Sequence, residues 1–174
     1  DPLFGGRIPS VETDLSYHVT FDGEQSDAYR IEVFDFPRLE QADATIVHPE
    51  YTELGTKTIE DVRRVSVIEG SQLTLTFRLN KPVQTAFLEE DEREALHLKT
   101  VSGQPDGLTK EVTFIPREKR EFTLVLIDAE GRTNKHPPEF VIDVIPNEPP
   151  KLAVEFPGRD VRVSPLEEVS LEAS

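Results

Sequence analysis

Apolar and polar residues alternate with a period of two in short runs along most of this 174-residue chain. Alternation of that kind sends every second side chain to one face of an extended backbone, so it predicts half-buried β-strands and not helices. The runs are Val65 and Val67; Leu73, Leu75, Phe77 and Leu79; Val83 to Leu88; Leu96 and Leu98; Val112 and Phe114; Phe122, Leu124 and Leu126; and Phe140, Ile142 and Val144. An earlier strand is expected at Thr45 to His48. Between the runs stand Glu69-Gly70-Ser71, Asn80-Lys81-Pro82, Gln104-Pro105-Asp106-Gly107 and Asp128-Ala129-Glu130-Gly131. These supply the glycine, proline and Asx chemistry that tight connections need.

About eight short strands over about 100 residues is the count and spacing of an immunoglobulin-like β-sandwich. The flanks read as copies of parts of the same unit. Val161, Val163, Val169, Leu171 and Ala173 repeat the spacing of Val65, Val67, Leu73, Leu75 and Phe77. Tyr17, Val19 and Phe21, then Asp22-Gly23, then Tyr29, Ile31 and Val33 repeat the closing hairpin built from Phe122 to Val144. The expected organisation is therefore all-β, with Ig-like sandwiches in tandem: 1–41 the end of one repeat, 42–147 a complete unit, 148–174 the first strands of the next. Pro146, Pro149 and Pro150 then mark a joint, because proline donates no ladder hydrogen bond and consecutive prolines stiffen an extended backbone. Pro37 fits an earlier joint in the same way.

Pro49-Glu50-Tyr51-Thr52, Glu69-Gly70-Ser71, Asn80-Lys81-Pro82, the Asp128 to Gly131 turn and Asn147-Glu148-Pro149-Pro150 resemble a known family. They are similar to the tandem Ig-like repeats of very large bacterial envelope proteins, known only as a domain of unknown function, over most of residues 29 to 174. The resemblance implies a membrane-anchored parent with amino-terminal membrane helices, a long extracytoplasmic region of repeats and later helical segments. It implies no catalytic residue. The chain departs from it at Asn147, where aspartate is more frequent, and the paired aspartates of the next repeat would lie beyond Ser174.

Composition narrows the chemistry. Nineteen lysines and arginines stand against 34 aspartates and glutamates, a net charge of -15, which repels nucleic acid and anionic bilayers. There is no cysteine, hence no disulfide framework, thiolate metal site or cysteine nucleophile. The chain opens DPLFGG without methionine, which reads as a soluble piece of a longer protein. His18, His48, His97 and His136 share no metal-ligand spacing, and His18 and His97 are expected on the solvent faces of their strands. Glu89 to Glu94, EEDERE, reads as a solvated loop that keeps an edge from pairing. In the joint PNEPP only Asn147 and Glu148 have ligand-capable side chains, a thin basis for calcium. No GxSxG, HExxH or phosphate-cradling glycine loop is present, and no enzyme, cofactor or metal is expected.

Two functions follow. One is a non-catalytic extracytoplasmic spacer whose partners are the neighbouring repeats of its own chain, without direct membrane contact. The other is an interaction module that engages an envelope protein or glycan through the loop from Asp128 to Pro138. Asp128, Arg132, Asn134, Lys135 and His136 are that loop's candidate contacts.

Overall fold

The computed structural model describes residues 5–91, 93–104, 106–148, 154–156, 159–165 and 168–173. Among these residues sixteen strands follow in chain order. An amino-terminal group comprises β1 (Leu15–Tyr17), β2 (Thr20–Phe21), β3 (Glu24–Gln25) and β4 (Tyr29–Ile31). Then come β5 (Leu39–Val47), β6 (Thr56–Ile59), β7 (Arg64–Ile68), β8 (Gln72–Leu79), β9 (Thr85–Glu89), β10 (Leu96–His97), β11 (Lys99–Thr100), β12 (Thr109–Phe114), β13 (Arg120–Ile127) and β14 (Glu139–Ile145). Last are β15 (Val154–Phe156) and β16 (Glu172–Ala173). Among the described residues a single 3-10 turn, Glu50–Thr52, lies between β5 and β6, and no helix is long and apolar enough to cross a membrane.

β5 to β14 form two five-stranded sheets, in the orders β10-β9-β13-β14-β7 and β11-β12-β8-β5-β6. Pairing is antiparallel except for β7 beside β14, which run parallel from Val141 opposite Arg64 to Ile145 opposite Ile68. The inward residues of both sheets meet in one core. Ala42, Ala44 and Ile46 lie beside Leu73, Leu75, Phe77 and Leu79 in the second sheet, and Val65, Val67, Leu88, Phe122, Leu124, Leu126, Phe140 and Ile142 of the first close the core from the other side. Phe77 meets Phe140 across the layers edge to face, with ring centroids 5.2 Å apart. Burial of each large side chain contributes about 1.5–3 kcal/mol, which is why a strict period of two fixes the register here.

The expected runs fall within β7, β8, β12, β13 and β14, the run from Val83 to Leu88 overlaps β9, which begins at Thr85, and the strand expected at Thr45 to His48 is the end of the longer β5. The expected start of the middle unit at residue 42 falls inside β5, because that strand begins at Leu39, opposite Leu79. Leu96 and Leu98 are not one strand. The chain leaves the first sheet after His97 and joins the second at Lys99, and Leu98 N still donates to Ala86 O at 2.9 Å as it crosses. β6 is an addition, its polar Thr56-Lys57-Thr58 laid along β5 with only Ile59 packed on the core.

EEDERE is not a solvated loop throughout. Glu89 ends β9, and the Glu90 side chain is largely buried, accepting from Arg120 Nε at 3.0 Å and pairing with Arg120 Nη2. Arg93 bridges to Glu118 at 2.7 Å. A carboxylate beside the sheet captures a nearby guanidinium instead of staying hydrated.

At the amino terminus, β1 pairs with β4 and β2 with β3 around Asp22-Gly23, whose φ values of 49° and 81° are those of a two-residue primed turn. Asp14 ties the hairpin: its carboxylate accepts from Val33 N and Arg30 Nη2, each at 2.8 Å, and these bonds hold it below the usual carboxylate range. At the other terminus Val161 and Val163 are not in a strand; β15 pairs instead with β16. Val65 and Val67 owe their strand to the parallel ladder with Ile142 and Val144 of β14, and among the described residues Val161 and Val163 have no such neighbouring strand. Pro149 and Pro150 of the expected joint lie outside the described residues.

Candidate functional site

Strand register defines two ends for the two-sheet body. β5 begins and β8 finishes at one end, the leading end, where the chain arrives from Ile31. β5 finishes, β8 begins and both β7 and β14 finish at the other, the trailing end, about 25 Å away by the rise of eight strand residues. The predicted interaction loop, Asp128 to Pro138, connects β13 to β14 at the leading end.

Asp128 is fully buried, and four donors surround its carboxylate. Arg132 Nε at 2.7 Å and Lys81 Nζ at 3.0 Å reach Oδ2, while the backbone amides of Arg132 at 2.9 Å and Glu130 at 3.1 Å reach Oδ1. Burial pushes this carboxyl up, but the hydrogen bonds from Arg132 and Lys81 and from the Arg132 amide outweigh it and hold the group well below the usual carboxylate range. Gly131, at φ 79°, lets the turn close on Asp128 O. Asn134 is also buried, and its amide substitutes for a missing strand residue. Oδ1 accepts from Leu126 N at 3.0 Å and Nδ2 donates to Leu124 O at 2.9 Å, completing the edge of β13 where β14 no longer runs beside it.

The cations look outward from this scaffold onto the segment between β4 and β5. The Arg132 guanidinium lies 4.5 Å from the centroid of the Phe34 ring, and Lys135 Nζ lies 4.4 Å from that of Phe36. Such contacts contribute about 0.5–1 kcal/mol each when exposed and more when dry. The loop between β8 and β9 grips the same segment. Asn80 Nδ2 donates to Phe36 O at 3.1 Å, Asn80 Oδ1 accepts from Arg38 N at 2.8 Å, and Asn80 N donates to Arg38 O at 3.2 Å. Lys81 Nζ, already on Asp128, also donates to Asp35 O at 3.2 Å. Pro37 is buried within this grip.

Of the five predicted contacts, the structure therefore brings Asp128, Arg132 and Asn134 into the loop's own architecture and sets Arg132 and Lys135 against Phe34 and Phe36; His136 is exposed. Phe34, Phe36, Asn80 and Lys81 were missed as functional residues. Their signal was FDFP itself, two aromatic residues outside any alternating run, which need a cover from somewhere. His97 is exposed on β10, as expected; His18 is exposed as well, but it lies between β1 and β2, outside any strand, and Tyr17 and Val19 beside it are exposed too. Among the described residues no group of three or more His, Asp or Glu is placed to hold a metal ion.

One other concavity, about 640 Å³, lies between Glu89, Asp91, Lys119, Glu121 and Glu139 on the outer side of the β9-β13-β14 sheet, an open acidic surface. The trailing end has its own linker contact: Glu69 Oε2 accepts from Asn147 N at 3.0 Å, and Glu69 N donates to Ile145 O at 2.9 Å. No protein-family model matches the chain, and no curated protein matches it.

Proposed function

We propose that this chain is a non-catalytic structural spacer, built of Ig-like β-sandwich units in tandem, in the extracytoplasmic region of a membrane-anchored bacterial envelope protein. The observation that carries the reading is the held linker at each end of the two-sheet body: Phe34 to Arg38 by Asn80, Lys81, Arg132 and Lys135, and Asn147 by Glu69. A chain that arrives at one end, leaves at the other and is fastened at both passes orientation from one unit to the next. A recognition domain would instead leave its loop donors to a ligand. The strand orders β11-β12-β8-β5 and β9-β13-β14 support the Ig-like assignment, since they correspond to the D-E-B-A and C-F-G arrangement of such sandwiches. The envelope location is supported by the resemblance of the turn and joint residues and by the acidic charge.

Because the chain has no cysteine, spin labels can be placed at will. Labels at Ser16→Cys and Lys99→Cys are expected to give one narrow distance peak in solution, which broadens when Asn80 and Lys81 are both changed to alanine. A broad distribution in the otherwise unaltered chain would remove the spacer reading.

A further inference from the structure

The outward face of the second sheet carries a row of one residue type. Strand register sets Thr58 of β6, Thr45 of β5, Thr74 of β8 and Thr113 of β12 side by side. Their neighbours along the strands, Ala44, Ile46, Leu73 and Leu75, are buried, and Ile59, Val112 and Phe114 pack on the core, so the four hydroxyls stand on the solvent side. The row crosses three strand spacings, about 14 Å. Its hydroxyls bond in two pairs, Thr45 Oγ1 with Thr58 Oγ1 at 3.3 Å and Thr74 Oγ1 with Thr113 Oγ1 at 2.8 Å. A hydroxyl offers one proton and two lone pairs, so each pair uses one proton and leaves the other, with spare lone pairs, to an outside group. The next row toward the trailing end, Thr56, Val47 and Gln72, is also without charge. Seven adjoining outward positions thus carry no charge in a chain whose residues are 30% charged. The outward face of the first sheet is the opposite, with Glu89, Glu121, Glu139 and Asp143. On the leading side of the threonine row charge returns at Asp43 and Glu111, the two residues opposite Thr76.

We propose that this face binds a neutral glycan chain, laid along the threonine row across β6, β5, β8 and β12. Depletion of charge from a patch with a charged border is the compositional mark of an interface core. The chemistry of the patch selects the occupant. Threonine hydroxyls and the Gln72 amide both donate and accept, as sugar hydroxyls do, and the threonine methyls with Val47 offer apolar contact to the C–H faces of sugar rings. Asp43 and Glu111 add acceptors for sugar hydroxyls at the border, and the same two carboxylates, in a chain of charge -15, repel an anionic polymer. A protein partner is anchored by tryptophan, tyrosine or arginine in a pocket, and these two rows contain none of the three. The proposal goes beyond the spacer reading: the flank of the two-sheet body takes a ligand while its two ends hold the linkers.

Native electrophoresis of the full chain tests this. Its negative charge drives migration at neutral pH, so binding to a polymer held in the gel reads as retardation. Hydroxyethyl cellulose and glycol chitin, two neutral glycans, are the probes, and polygalacturonate is the anionic control. At least one neutral glycan should retard the unaltered chain, and polygalacturonate should not. Changing Thr45, Thr74 and Thr113 together to valine keeps a β-branched side chain at each strand position, removes three hydroxyls and should abolish the retardation. Thr113→Glu, a single charge at an exposed site, should do the same, with a melting temperature that reports the fold intact. No retardation of the unaltered chain by either neutral glycan overturns the proposal, and so does retardation that survives in Thr113→Glu or that polygalacturonate alone produces. Dimers in sedimentation without polymer that Thr113→Glu abolishes also overturn it, in favour of a second copy on this face. If the labels at Ser16 and Lys99 stay narrow while retardation is absent, the spacer reading stands and only the glycan site falls.

Discussion

Asn134→Ala separates two opposed roles for one side chain. As a loop residue awaiting a ligand, Asn134 would be replaceable within about 0.5 kcal/mol. As the structure has it, the change strands Leu126 N–H and Leu124 C=O, both on residues with no solvent exposure, and each stranded group costs about 1–3 kcal/mol. Residual access of water at a side chain 6% exposed offsets part of that, so the expected loss is about 2–5 kcal/mol, a large share of the ~5–15 kcal/mol that holds a domain together. Urea unfolding followed by far-UV circular dichroism measures it, since there is no tryptophan and Tyr17, Tyr29 and Tyr51 all lie outside the core. The midpoint should fall with the slope unchanged, which is the mark of lost stability and not of an altered unfolded state. In hydrogen exchange the Leu126 amide should lose protection ahead of its neighbours. A loss below about 0.5 kcal/mol with Leu126 still protected would refute the assignment. Asn134→Asp sharpens the test. Its carboxylate keeps the acceptor for Leu126 N but sets a charge against Leu124 O, so the penalty at neutral pH should match alanine's and shrink as acid protonates the group.

Asp128 has a folded carboxyl value depressed below its unfolded one, so its stabilisation is complete above about pH 4 and is lost as pH falls below that toward the folded value. Asp128→Asn should therefore lower the melting temperature at pH 7 and flatten the acid limb of the melting profile; an unchanged limb would count against the assignment. Phe77→Ala, at a fully buried ring stacked edge to face on Phe140, should cost about 3–5 kcal/mol in the same urea assay. Arg120→Lys keeps a charge for Glu90 but gives up both the paired donors and the guanidinium 4.6 Å from the Phe122 centroid, for a loss of about 1–2 kcal/mol by chemical denaturation.

The strands were legible because burial enforces a period of two wherever a sheet has one wet face, and Leu73 to Leu79 carries that period without interruption. What period cannot convey is the partner. Asn80 is 42 positions from Arg38 and Lys81 is 47 from Asp128, so the grip on the linker exists only once β5 has paired with β8 and β9 with β13. For the same reason a loop of charged residues reads identically whether its cations face solvent or a ring such as Phe34. Val161 and Val163 show the opposite failure. Their spacing matches Val65 and Val67, but that pair is a strand through its ladder with Ile142 and Val144 of β14, a partner that spacing alone does not supply.

The parallel pairing of β7 with β14 has a mechanical meaning. Tension along the chain pulls β14 out by its trailing end and β5 by its leading end, in opposite directions along the strand axes. Each is then loaded in shear against its neighbours, so the ladder bonds of β14 to β7 and β13, and of β5 to β8, must give way together instead of opening one at a time. A chain strung through the two-sheet body in this way transmits a pull without unzipping.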